Sequence, residues 1–220
     1  MLTLQAILFD MDGTLVDSEV IWVDAIEAAL RRRGVELTHE DVVRLVYGHA
    51  WPDIFREIAR RYPDAYPSRQ AMEAITVPLY IQCSQQRDIR IQPSIDLLRK
   101  LAQRYPVAIV SGSTCARIQQ TINDLQIGDC VATFVGCEDV PIGKPDPAAF
   151  RLGAERLGVP AAACLVFEDS AAGVQAAKAA GMRCVALSRQ NASRQDLSAA
   201  DLVLSSLDAF DLERFAAVPR

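Results

Sequence analysis

The chain has 220 residues, half of them hydrophobic, and a net charge of −5, enough for one full core or a core carrying a smaller satellite domain. No basic stripe of the kind a nucleic-acid binder carries is visible, and no stretch approaches the ~20 apolar residues a membrane span needs. The N-terminus lacks the basic and apolar regions of a signal peptide, so a cytoplasmic protein is expected, with its six scattered cysteines reduced and no zinc or redox site.

Short apolar runs at 6–9, 107–110, 133–135, 164–167, 184–187 and 202–204 lack strict alternation and are expected as strands buried on both faces. Helical patterns at 93–104, 114–125, 147–157 and 171–180 lie between them. This alternation predicts an α/β core, a Rossmann-like parallel sheet with helices on both faces. Residues 16–89 break the rhythm. The spacing there predicts four helices: 18–33, stopping before Gly34; one opened by a capping box at Thr38 with Asp41 in the Glu position; 51–61, with Ile54, Phe55 and Ile58 on one face; and 68–86, kinked or broken at Pro78. We read 1–15 and 90–220 as the core and 16–89 as a small four-helix cap inserted after the first strand.

The first strand runs into Asp10-Met-Asp12-Gly-Thr. Ligands of open parallel sheets collect at the carboxyl ends of strands, and Asp10 and Asp12, two apart, can project to one side there. Paired carboxylates suit a hard divalent cation, or a division of labour between an ionised nucleophile and a protonated acid. A turn rich in Asp and Gly also ends many strands without doing chemistry.

Asp-x-Asp-Gly-Thr on an apolar strand resembles the haloacid dehalogenase superfamily, in particular its phosphatase branch with a helical cap after the first strand, to which β-phosphoglucomutase and phosphoglycolate phosphatase belong. Three further signatures follow in order: Ser111-Gly112-Ser113 after the second strand, Gly143-Lys144-Pro145 before a helix, and Glu168-Asp169-Ser170 after the fourth strand. Taken singly, each is equally a turn, a surface lysine or a helix cap; the ordered set, each at a strand end or just before a helix, is restrictive.

The resemblance implies a Mg²⁺-dependent phosphatase acting on a small phosphorylated metabolite, as a monomer or weak dimer. Asp10 is then the nucleophile, forming an aspartyl phosphate, and Asp12 the acid and base. Ser111, Gly112, Ser113 and Lys144 hold the phosphate. The metal is held by Asp10, the Asp12 main-chain carbonyl and Asp169, with Glu168 as an additional ligand or behind them. Cap closure over Asp12 is expected to raise its pKa. Trp22, His49 and Trp51 are cap candidates for substrate contact, with Ser18 at the hinge and Thr114 from the core; packing within the cap explains the tryptophans equally well.

A β-phosphoglucomutase-like mutase is the first alternative. Trp22 and Trp51 stand where those enzymes carry a histidine and a phosphate-gripping arginine, although Arg44 or Arg56 could substitute. A dehalogenase needs no second acid. A phosphonate hydrolase needs a cap lysine, and 17–87 contains none. A non-catalytic phospho-ligand sensor on the same fold is the reading from another class.

Overall fold

The structure is a computed structural model that describes residues 4–47, 51–84, 87–189 and 195–217, the side chains at 51, 52, 216 and 217 excepted. It divides into two compact units, Met1–Val16 with Arg90–Arg220, and Asp17–Ile89.

In the first unit the described strands are β1 (Ala6–Phe9), β2 (Val107–Val110), β3 (Thr133–Val135), β4 (Cys164–Glu168), β5 (Arg183–Leu187) and β6 (Leu202–Leu204). All pair in parallel in the order β3-β2-β1-β4-β5-β6. The order reverses direction at β1, which creates a crevice at its carboxyl end. Side chains of alternate parity go to opposite faces. Ala6, Leu8, Val110, Val166 and Cys184 join a core cluster with Phe150 and Val174, on the side of α7 (Ala148–Arg156) and α8 (Ala171–Ala179). Ile7, Phe9, Ile109 and Phe167 are buried outside that cluster, with Phe9 and Phe167 stacked at 4.6 Å and α5 (Gln92–Ala102) against β2.

Burial on both faces holds for β1, β2, β4 and β5 but not for the edges. In β6 Val203 is 45% exposed, and β3 is only partly covered, because each has a strand on one side alone. α6 (Cys115–Asp124) begins at Thr114, whose side chain accepts from the Arg117 N–H. A last helix, α9 (Leu212–Ala217), is tied down by Arg183, which lies 3.6 Å over the Phe215 ring and donates to its carbonyl.

The second unit consists, among the described residues, of α1 (Ser18–Arg31), α2 (His39–Val46), α3 (Trp51–Arg61) and α4 (Arg69–Ser84). The capping box forms: Thr38 Oγ1 accepts from the Asp41 N–H, and Asp41 Oδ2 accepts from the Thr38 N–H. The helix at 69–84 does not break at Pro78 but runs through it. Pro78 forfeits one backbone hydrogen bond, and the packing of Ile75, Leu79 and Tyr80 on Ala25, Ala28 and Ala29 of α1 offsets that loss. Among the described residues no helix is long and apolar enough to cross a membrane.

Candidate active site

Four segments of the first unit meet at the carboxyl end of the sheet. Asp10 continues β1, its N–H donating to the Phe167 carbonyl at 2.9 Å. Ser111 continues β2, its N–H donating to the Val135 carbonyl at 3.0 Å. Because β2 and β4 flank β1, side chains separated by a hundred or more positions become neighbours without any special loop.

The turn after Asp10 closes on itself, with the amides of Thr14, Leu15 and Val16 donating to the Met11 carbonyl and Gly13 N–H to Val16. Gly13 has φ +92°, and a Cβ there would lie 1.9 Å from Asp169 Oδ2. Glycine is required twice over, by the backbone conformation and by the carboxylate pressed against it.

Lys144 ties the strand ends together. Its Nζ donates to Asp10 Oδ1 at 2.6 Å, Glu168 Oε1 at 2.6 Å and the Val110 carbonyl at 3.1 Å, using its three protons. Far from being a surface lysine, its side chain is 13% exposed. Burial lowers its proton affinity, yet the charges of Asp10 and Glu168 outweigh burial and hold the ammonium above its ordinary range.

Glu168, 1% exposed, is fastened at its other oxygen as well. Oε2 accepts from the Asp169 N–H at 2.8 Å, the Ser170 N–H at 2.7 Å and the Ser170 hydroxyl at 2.9 Å. A Cβ at Gly173 would fall 1.7 Å from Oε1, so the start of α8 is shaped around this carboxylate. Ser170 stands in the sequence signature with no role of its own beyond a helix cap, which it also is; that it and Gly173 are fitted to Glu168 is visible only in the fold.

Asp10, Glu168 and Asp169 each offer a carboxylate oxygen within 4.8 Å of the others. Asp10 is 5% exposed, and its Oδ2 is buried with no hydrogen-bond partner among the described residues. Burial pushes the Asp10 carboxyl up to about 7; Lys144 opposes the shift, and Glu168 and Asp12 add to it. One ammonium therefore does not neutralise the cluster. An orphaned, buried carboxylate oxygen beside Asp169 fits a hard divalent cation.

Asp12 faces elsewhere. Its Oδ2 accepts from the Ser111 hydroxyl at 3.0 Å and the Ser113 hydroxyl at 2.7 Å, and its carboxylate is not in the metal-type cluster. The strongly raised carboxyl resolved in the site is that of Asp10, where burial dominates. Gly112 lies in the exposed turn, with open space where a Cβ would stand.

The Trp22 ring rests on Tyr80 at 4.3 Å, and Ser18 is buried at the start of α1. His49 and the Trp51 side chain lie outside the described residues. Arg44 and Arg56 pair with Glu40 at 2.5 Å and Asp53 at 2.8 Å along their own helices.

The model of the family described as haloacid dehalogenase-like hydrolase matches residues 4–181. The chain is 34% identical over 209 residues to hexitol phosphatase A of Escherichia coli, covering 91% of this chain and 90% of that protein. It is 28% identical over 186 residues to phosphoglycolate phosphatase of Pseudomonas savastanoi pv. phaseolicola, covering 83% and 68%. A solved haloacid dehalogenase-like protein of unknown function from Agrobacterium tumefaciens superposes with a TM-score of 0.78 at 25% identity, covering 97% of this chain and 98% of that one.

Proposed function

The chain belongs to the haloacid dehalogenase-like hydrolase family and is a phosphoric monoester hydrolase, and we propose that it hydrolyses a small phosphomonoester, a sugar phosphate or a phosphoglycolate-like acid, through an aspartyl phosphate on Asp10. The observation that carries this reading is the state of Asp10: one oxygen clamped by Lys144, the other buried and without a hydrogen-bond partner among the described residues, at the carboxyl end of β1.

In the first step an Asp10 oxygen bonds to phosphorus, the ester P–O bond breaks, and the leaving oxygen takes a proton from Asp12. In the second step Asp12 takes a proton from water, the water oxygen bonds to phosphorus, and the acyl phosphate P–O bond breaks to regenerate Asp10 and inorganic phosphate. Lys144 aims the Asp10 carboxylate and offsets negative charge beside it. Ser111 and the open turn at Gly112 offer a hydroxyl and backbone N–H groups to the phosphate oxygens. Asp10, Asp169 and the Asp12 main-chain carbonyl would hold Mg²⁺, which when bound supplies charge neutralisation between the nucleophile and the phosphate. The activities named for the similar phosphatases support the substrate class.

The test is a phosphate-release screen over phosphorylated metabolites with Mg²⁺ or EDTA, using wild type and Asp10→Asn. Release should require Mg²⁺ and fall to background in the variant, and acid-quenched wild type should carry one phosphate on the peptide containing Asp10. Turnover by a folded Asp10→Asn protein close to that of wild type would remove Asp10 from the mechanism.

A further inference from the structure

Ser113 reads from the sequence as one more phosphate contact, but its geometry gives it other work. Its hydroxyl donates to Asp12 Oδ2 at 2.7 Å, shorter than the 3.0 Å bond from Ser111 to the same oxygen. Its backbone is pinned on both sides. The Ser113 N–H donates to Ser111 Oγ at 2.9 Å, and its carbonyl accepts the Cys137 N–H at 3.0 Å from the segment that follows β3. A hydroxyl on so fixed a backbone holds its direction at little entropic cost.

We propose that Ser113 is a positioning residue for Asp12: it holds the carboxyl by Oδ2 so that Oδ1 is the oxygen that gives and takes the catalytic proton. The inference rests on the reading of Asp12 as acid and base in phosphate-ester hydrolysis.

A count of protons and lone pairs supports it. Each serine has a single hydroxyl proton. In the structure both are directed to Oδ2, which has two lone pairs to receive them. A proton on Asp12 is therefore carried by Oδ1. When a phosphoryl group arrives and the Ser111 hydroxyl turns to it, Ser111 gives up its bond to Asp12, because one proton serves one acceptor well. The Ser113 bond to Asp12 stays in place. The two serines of the Ser-Gly-Ser turn divide the labour, Ser111 going to the substrate and Ser113 remaining with the acid.

This division makes Ser113 matter only where a leaving group needs a proton. Ser113→Ala is compared with wild type on the best alkyl phosphate from the screen and on p-nitrophenyl phosphate, whose phenolate departs unprotonated. The parameter read is kcat/KM, which reports events up to the first phosphoryl transfer. For the alkyl ester the variant should lose about 10- to 100-fold, the worth of one hydrogen bond to a charged group. For p-nitrophenyl phosphate the loss should stay within about 3-fold, since no acid is needed there. Ser113→Thr, which keeps the hydroxyl, should restore most of the alkyl-ester activity. Inhibition by inorganic phosphate should be unchanged in both variants.

Equal losses on the two esters, or weaker inhibition by phosphate, would overturn the proposal and return Ser113 to the phosphate or to a purely structural role. A wild-type protein that hydrolyses no phosphate ester would instead overturn the phosphatase reading, and this proposal with it.

Discussion

Replacing Gly13 by alanine separates two demands that the turn places on one residue. The new Cβ would stand 1.9 Å from Asp169 Oδ2, so the carboxylate must retreat by about 1.5 Å to reach ordinary contact at 3.4 Å. A misplacement of about 1 Å in a catalytic constellation costs about 100-fold, so kcat/KM should fall by at least that factor, and the Mg²⁺ concentration for half-maximal activity should rise. The backbone at φ +92° adds about 1–3 kcal/mol of strain for any residue with a side chain. In a chain of 220 residues that lowers Tm by about 2–4 °C for each kcal/mol. Gly181 supplies the control, with φ +80° and nothing within 4 Å of its Cβ position. Gly181→Ala should carry the backbone strain alone, losing Tm but not activity. Thermal melting by circular dichroism, together with phosphate release against Mg²⁺ concentration, reads both effects. Gly13→Ala within about 3-fold of wild-type kcat/KM at the same Mg²⁺ requirement, or Gly181→Ala as inactive as Gly13→Ala, would refute the reasoning.

Two further outcomes follow from the same cluster. Lys144→Met removes the shared cation and leaves Asp10 and Glu168 buried without their ammonium, so urea unfolding should show a loss of about 3–5 kcal/mol along with loss of turnover; a midpoint unchanged from wild type would refute the clamp. The second concerns pH in the metal-free protein. The Asp10 carboxyl rises from 3.8 to about 7 on folding, so between those values the folded state holds a proton that the unfolded chain has released. Stability from Asp10 is therefore fully present at acid pH and is lost as pH rises toward 7. In EDTA, the stability difference between wild type and Asp10→Asn should move against wild type from pH 5 to pH 8, and Mg²⁺ should reverse that movement. A difference that moves the other way in EDTA would contradict the assignment.

The strand segments were legible because a strand covered on both faces reads as an uninterrupted apolar run, as at 6–9 and 164–167. The same logic over-reached at 133–135 and 202–204. An edge strand of three residues carries the same composition, and only the number of neighbours decides its exposure. Pro78 was read from its chemistry alone, and the packing of Leu79 and Tyr80 on α1, invisible in the local pattern, decided that the helix continues. In the site, Asp10 and Asp12 look alike on paper. Their difference comes from what faces them: Lys144 and a buried void of donors for one, two serine hydroxyls for the other. Glu168 read as a ligand or a residue behind one, and only the fold shows that both its oxygens meet donors while it stands within 4.8 Å of Asp10 and Asp169.

What the sequence by itself determined was local: which stretches extend and which coil, where helices start, and which ionisable and hydroxyl groups stand at the ends of strands. Those properties follow from side-chain sterics, periodicity and capping, all of which act within a few residues. The tertiary structure alone decided the strand order, and through it that Lys144, more than a hundred positions from Asp10, reaches Asp10, Val110 and Glu168 at once. It also decided which carboxyl loses its water, because burial depends on every element that packs over a group, and no window along the chain contains them all.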